Sequence, residues 1–183
     1  MRTASSILLA TTLLASCAGM QRQTTGQWLA GSTIGKDHSV MLMRVPDAIE
    51  AGEGPAGGSG TGLMTVFRDE LMQKGIKIGV TEESSVAAAT AAARTKGLAY
   101  VLKVVITHWE ENATEWSGKP DAVAASAELY DAATGDLVAV ASHSVKGSTT
   151  AWLAKTPDRF YPEIADTILG RLFGWKPTVV APK

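Results

Sequence analysis

This chain of 183 residues has a single cysteine. An exported protein normally uses cysteines in pairs, so a lone cysteine excludes an internal disulfide and needs another explanation. The chain also has no excess of charge of one sign, since its formal net charge is −1 and its lysines and arginines are scattered without a basic block. This pattern argues against nucleic acid as a partner. Beyond the first sixteen residues, no hydrophobic run approaches the roughly 20 residues that cross a bilayer.

Patterns typical of enzymes are missing as well. The three histidines, His38, His108 and His143, are far apart and form no H-x-x-x-H or H-x-x-E-H spacing. A zinc site would need three or four ligands that converge. No G-x-S-x-G elbow for a nucleophilic serine occurs. We therefore predict that the protein is not an enzyme and has no catalytic, cofactor-binding or metal-binding residue.

The lone cysteine closes an amino-terminal export signal. Arg2 supplies the positive end, residues 7–15 supply a short apolar core, and the run Leu14-Ala15-Ser16-Cys17 follows. This run resembles the bacterial lipobox. The resemblance implies that residues 1–16 are a lipoprotein signal peptide, that Cys17 receives a diacylglyceryl thioether, and that its freed amine is then acylated. The alternative is a small buried cysteine.

The residue after the cysteine bears on the target membrane. Ala18 stands there, with no aspartate to resemble the inner-membrane retention signal. The resemblance therefore favours the outer membrane, with the protein facing the periplasm. Because one acyl chain holds a protein only reversibly, two or three chains on one residue would make detachment negligible.

The mature chain divides into a tether, one domain and a tail. Residues 17–37 are polar and rich in glycine, threonine and glutamine, so we expect a mostly irregular lipidated tether. Trp28 interrupts it and either docks on the domain or lies at the membrane interface. Residues 38–174 are long enough for one domain with a core, and residues 175–183, with two prolines, are expected to be a flexible tail.

The domain alternates strand and helix signals. Apolar periodicity, caps and turn residues predict the following elements: strand 39–45, helix 62–74, strand 76–80, helix 86–96, strands 98–111, 122–131 and 136–146, and a helix from Pro162. The order β-α-β-α-β-β-β-α predicts a mixed sheet with helices on at least one face, an α/β (α+β) fold. In strand 98–111, alternation places Trp109 on the same face as Val101 and His108 on the same face as Tyr100.

A glycine-rich segment runs from Gly52 to Gly62 and formally matches G-x-G-x-x-G. That motif binds pyrophosphate only where a strand turns tightly into a helix. Here the preceding strand ends several residues earlier, so we predict a flexible loop. A small-ligand or anion receptor that uses this loop stays open as an alternative.

The stretch 108–121 concentrates two tryptophans, one histidine and four acidic residues at a strand end. One hypothesis is a structured turn. Another is a partner or glycan surface, because tryptophan offers a large contact area with little loss of entropy; its residues are Trp109, Glu110, Trp116 and Trp152. A third is acid–base catalysis by a carboxylate pair, for which the candidates are Glu110 with Glu115 or Glu111 with Asp121.

The same stretch carries a family resemblance. Its pattern HWE…ATEWSGKPD resembles the signature of an uncharacterised lipoprotein family of Gram-negative bacteria, a domain of unknown function. The likeness extends through residues 131–135 and Trp152, whereas residues 153–159 depart from it. Membership implies an envelope lipoprotein and no particular activity. The element order is also similar to the amino-terminal domain of the Tol translocation protein and to the curli secretion lipoprotein, although fold does not fix function.

The sequence therefore predicts a non-enzymatic envelope lipoprotein that binds or scaffolds another envelope component, either a protein or a glycan. The membrane itself is a partner through Cys17. A periplasmic enzyme that acts on cell-wall or glycan substrates through a carboxylate near Glu110 is the main alternative. The sequence leaves the oligomeric state open.

Overall fold

The computed structural model describes residues 20–29, 34, 38–50, 53–112, 119–148 and 156–176. Its strands are β1 Gln21–Trp28, β2 Val40–Met43, β3 Ile49–Glu50, β4 Gly54–Pro55, β5 Ile78–Thr81, β6 Tyr100–Glu110, β7 Ala122–Asp131 and β8 Leu137–Lys146. Its helices are α1 Ser59–Gln73, α2 Val86–Thr95 and α3 Tyr161–Phe173, and a 3-10 turn at Pro157–Phe160 leads into α3.

Six strands form one mixed sheet in the order β1-β8-β7-β6-β2-β5. The strand β2 is parallel to both β5 and β6, and the remaining neighbours are antiparallel. Two crossover helices, α1 and α2, connect the parallel strands, as the alternating strand and helix signals predict. This confirms the predicted single α+β domain with a mixed sheet.

The helices form where apolar residues recur on one side. In α1, Leu63, Phe67 and Leu71 repeat every four residues and are fully buried. The helix α2 starts at Ser85, whose Oγ accepts a hydrogen bond from the Ala88 amide at 3.2 Å. Its small residue Ala93 is buried against the sheet.

The two faces of the sheet are covered unequally. On one face, α1 and α3 bury the main core, which includes Phe67, Leu102, Leu129 and Ile164. We call this the helix-covered face. On the opposite face, α2 packs on the strands at the β5 edge and on the first part of β6. The described helices therefore leave the opposite face of the antiparallel half open.

The largest departure from the sequence prediction is β1. Residues 21–28, which we predict as irregular tether, pair antiparallel with β8 along their whole length. All eight residues are exposed, because an edge strand is held by backbone hydrogen bonds to its neighbour and buries no regular set of side chains. Trp28 lies against α3, where its indole Nε1 donates to the Arg171 carbonyl at 3.3 Å. The ordered domain thus begins well before residue 38.

A β-bulge changes the predicted faces of β6. The register with β7 shifts between Ile106 and His108, and one extra residue moves every later side chain to the other face. Trp109 therefore joins Tyr100 on the helix-covered face, and His108 joins Val101 on the other. The predicted alternation is correct only up to the bulge.

The described residues of the glycine-rich segment and Trp175, the first residue of the predicted tail, have defined contacts. Residues 54–55 form β4, which pairs with β3, and residues 56–58 lead directly into α1. Trp175 stacks on Phe173 with ring centroids 4.7 Å apart, and the Lys74 Nζ lies 5.9 Å from the Trp175 ring. Within the described residues, no helix has the length and apolar character needed to cross a bilayer.

Candidate functional site

Trp109 is a core residue. It pairs with Val123 on the helix-covered face, is 6% exposed, and lies 6.0 Å from the Tyr161 ring centroid in a tilted arrangement. Within the described part of the chain, its indole Nε1 is buried without a hydrogen-bond partner. The bulge in β6 turns this ring inward, so Trp109 offers little of its own surface to a partner. Its predicted role in a partner surface stays a prediction.

Glu110 lies on the opposite face of β6 and is exposed. Its Oε2 is 3.7 Å from His108 Nε2. Both residues line a cleft of about 530 Å³ that also includes Gln21, Gln23, Ser144 and Lys146. The cleft lies at the end of the sheet where β1 begins and β6 and β8 end.

Among the carboxylates proposed for catalysis, Asp121 has structural partners. Asp121 Oδ2 accepts from Arg159 Nη1 at 2.5 Å, and its Oδ1 accepts from the Asn112 amide at 2.9 Å. Burial raises the pKa of Glu111, and the nearby carboxylates of Glu50 and Asp121 raise that pKa further. Because Asp121 is held by a guanidinium and an amide, it is not a free acid or base beside Glu111.

The start of α1 already holds an anion supplied by the chain. The Asp47 carboxylate accepts from the Gly58 amide at 3.1 Å and from the Gly60 amide at 2.8 Å. These two hydrogen bonds hold the pKa of Asp47 below its usual range. The predicted flexible loop is thus wrong for the described residues, and an external anion at this helix end would have to displace Asp47.

A buried histidine joins β1, β8 and α3. The Thr24 hydroxyl lies 2.8 Å from His143 Nδ1, and His143 Nε2 lies 3.3 Å from Glu163 Oε1. Arg22 Nε donates to the same Glu163 oxygen at 2.5 Å. Because both imidazole nitrogens and the carboxylate have partners, this network holds β1 on the domain. Sequence analysis missed it, since its members come from three distant segments.

No three histidine, aspartate or glutamate side chains of the described residues are grouped so that they could hold a metal ion.

The uncovered half of the sheet is a surface formed by β6, β7, β8 and β1, which includes the cleft at its Glu110 end, and we call it the open face. Its side chains point away from α1 and α3, because side chains alternate along each strand. Strand register arranges them in four rows: Lys103, Glu128, Val140 and Gln27; Val105, Ser126, Ser142 and Thr25; His108, Ala124, Ser144 and Gln23; Glu110, Ala122, Lys146 and Gln21.

Charges on the open face are confined to its two ends. The two middle rows carry small or uncharged side chains apart from His108. At one end, Glu128 Oε2 accepts from Lys103 Nζ at 3.0 Å and from the Tyr130 hydroxyl at 2.7 Å. Burial opposes ionisation of Glu128, but the two hydrogen bonds outweigh burial and lower its pKa. Burial and the Glu128 carboxylate raise the pKa of Tyr130 to about 12.

Four predicted site residues, Cys17, Glu115, Trp116 and Trp152, lie outside the described residues. Their roles stay predictions. The structure nevertheless fixes where the neighbouring strands end. The start of β1, the connection from β6 to β7 and the connection after β8 all leave the same end of the sheet, since Gln21 pairs with Lys146 and Lys146 with Ala122.

Comparison with solved structures shows the fold. The chain is similar to a subunit of the PelC dodecamer from Paraburkholderia phytofirmans, with a TM-score of 0.62 and 17% identity, over 82% of this chain and 97% of that chain. It is also similar to the hypothetical protein CT253 from Chlamydia trachomatis, with a TM-score of 0.50 and 13% identity, over 75% of this chain and 97% of that one.

A weaker likeness, with a TM-score of 0.46 and 15% identity, links the chain to the lipoprotein GNA1162 from Neisseria meningitidis, over 60% of this chain and 83% of that one. No protein-family model and no curated protein matches the sequence. The predicted family signature and the Tol comparison therefore stay predictions. At these identities the comparisons establish one point: this chain has the fold of a PelC subunit.

Proposed function

We propose that this protein is a lipid-anchored, non-enzymatic module of the bacterial outer membrane that faces the periplasm and associates with further copies of itself. The observation that carries the proposal is the likeness to a PelC subunit over nearly the whole of that chain, because that protein is a dodecamer. The lipobox supplies the anchor, and the folded domain supplies the scaffold.

A short connection between anchor and domain supports the proposal. Gln21, the first residue of β1, comes four residues after Cys17. Four residues span at most roughly 14 Å. A lipidated Cys17 would therefore hold the sheet end that carries Gln21 close to the bilayer, with the strands directed away from it.

The two other connections at this sheet end carry tryptophans. Trp116 belongs to the connection from β6 to β7, and Trp152 belongs to the connection after β8. Tryptophan is enriched at the interface between membrane and water, where its ring contacts acyl chains and its N–H remains solvated. We propose that Trp116, Trp152 and the neighbouring Glu110 form the surface that contacts the membrane or an envelope component bound to it.

The catalytic alternative has less support. The Glu111 carboxylate has a raised pKa, as a general acid would. Its predicted partner Asp121 is engaged by Arg159 and by the Asn112 amide. Glu110 lies on the other side of the strand from the core-facing Trp109 and pairs with His108 at 3.7 Å. With Asp121 engaged in this way, the Glu111–Asp121 pair has little support as an acid and a base. Glu115, the predicted partner of Glu110, lies outside the described residues.

The test uses the full chain and its Cys17→Ser variant in a Gram-negative host. We expect metabolic labelling with an alkynyl palmitate to mark the wild type alone, and the variant to leave the membrane fraction. Extracted in mild detergent, the wild type should have the mass of more than one chain. An unlabelled wild type, or a serine variant that still sediments with membranes, would contradict the anchor. A single-copy wild type would contradict self-association.

A further inference from the structure

The open face is the largest part of the sheet that no described helix covers. Four strands spaced about 4.8 Å apart and four rows of side chains give an area of roughly 20 Å by 25 Å, about 500 Å². Two such faces together would bury about 1,000 Å², the size at which a specific protein interface begins. The face is thus large enough to be an interface between two chains.

The side chains of the open face suit a close approach by a second sheet. Ser126, Ser142 and Ala124 occupy its centre, where a solvent-exposed strand face commonly carries long charged residues. Small side chains allow two sheets to stack about 10 Å apart. The charged groups at one end, Lys103 and Glu128, already pair with each other across 3.0 Å. Little uncompensated charge would therefore be buried.

We infer that the open face packs against the open face of a second copy of this chain, across a two-fold axis along the strands. This inference rests on the proposed function, because lipid anchors on both copies must reach the same bilayer. That requirement selects an axis along the membrane normal, and the strands run in that direction from the anchored end. An axis across the strands would point one anchor away from the membrane.

Charge complementarity agrees with this axis. A two-fold along the strands keeps each row in place and exchanges β6 with β1 and β7 with β8. Lys103 then opposes Gln27 of the second copy, and Glu110 opposes Gln21. Lys146 opposes Ala122 and lies one strand from Glu110 of the second copy. No row brings like charges directly opposite each other, whereas like charges at such positions would be destabilising.

The first test places a large cation on the open face. Ser126→Arg should raise the dissociation constant for self-association by about tenfold or more, because a bulky charge must enter a packed interface. Ser142→Arg, on the neighbouring strand, should have the same effect. Ala87→Arg adds the same side chain at an exposed position of α2 and should leave the dissociation constant unchanged. Melting temperatures of all three variants monitor folding.

The second test needs no disruptive variant. With Cys17 lipidated, Ser126→Cys would supply the sole free thiol and differs from serine by one atom. A bismaleimide of about 10 Å, the spacing of stacked sheets, should join two copies of Ser126→Cys in native membranes. Ala87→Cys should give no such dimer under the same conditions.

The outcomes separate this inference from the proposed function. Loss of association in both arginine variants, together with a Ser126→Cys dimer, supports the open face as the interface. Suppose that the wild type contains several copies and that Ser126→Arg and Ser142→Arg leave its mass unchanged, or that Ser126→Cys is not crosslinked. Either result overturns the open face as the interface and leaves the proposed self-association intact. A single-copy wild type, with the open face bound to a different protein or a glycan, overturns both.

Discussion

Replacing Gly60 with alanine should be among the most damaging conservative changes in this domain. A Cβ at Gly60 would lie 2.3 Å from the Val45 carbonyl oxygen and 2.6 Å from the carbonyl carbon of Pro46. Both neighbours are backbone atoms, so neither can rotate away. The first turn of α1 would have to move by about 1 Å, and overpacking of this kind costs about 1–3 kcal/mol. The same movement would stretch the hydrogen bond from the Gly60 amide to Asp47.

The assay is thermal and urea unfolding of the domain without its predicted anchor, residues 20–176, against a matched variant. For a domain of this size, each kcal/mol shifts Tm by about 2–4 °C, so a cost near 3 kcal/mol lowers Tm by about 6–12 °C. Gly57→Ala is the control, since a Cβ there meets no heavy atom within 4 Å. That change should be neutral or stabilise by up to about 1 kcal/mol. Equal Tm values for Gly60→Ala and Gly57→Ala would refute the close approach.

Three further predictions concern charged groups. Folding lowers the pKa of Asp47, so the ionised side chain stabilises the domain above about pH 4. The free energy of unfolding of Asp47→Asn should therefore fall less on acidification than that of the wild type. A steep wild-type profile retained in that variant would contradict the cap. The pKa of Tyr130 is about 12, and Glu128→Gln should lower that pKa towards 10, as measured by tyrosinate absorbance. An unchanged titration would exclude the hydrogen bond between Tyr130 and Glu128. Glu163→Gln should speed hydrogen exchange in β1 by about tenfold, while unaltered exchange would show that β1 is held in another way.

The regular parts of the fold follow from local patterns in the sequence. Apolar residues at helical spacing identify α1, and the glycine-containing turn after Asp131 identifies the β7–β8 hairpin. Alternation and small residues identify α2 and the long strand β6. These features are local, so one short window of sequence contains each of them.

The features that escaped prediction depend on distant partners. The strand β1 has no apolar alternation, because its stability comes from backbone pairing with β8. The bulge after Ile106 is set by pairing with β7, and it alone decides that Trp109 faces the core. Asp47 caps a helix that starts 12 residues later in the chain. The spacing of apolar residues within one segment carries no information about these distant partners.

The candidate site was predicted less well than the fold for the same reason. The period assigned Trp109 to the same face as Val101, and the bulge moves it to the other face. The open face, by contrast, has a signal that could have been used. Alternate residues of β7 and β8, such as Ser126 and Ser142, are small and uncharged on the side away from the core, which is unusual for a strand face that contacts water.

The lipid anchor at Cys17 is the claim on which the orientation of the domain and the symmetry of its association depend. Intact mass spectrometry of the protein extracted from membranes tests that claim most directly. We expect a chain that starts at Cys17 and is heavier than its amino-acid sequence by a diacylglyceryl group and one further acyl chain. A chain that retains residues 1–16, or one that starts elsewhere with an unmodified cysteine, would contradict it.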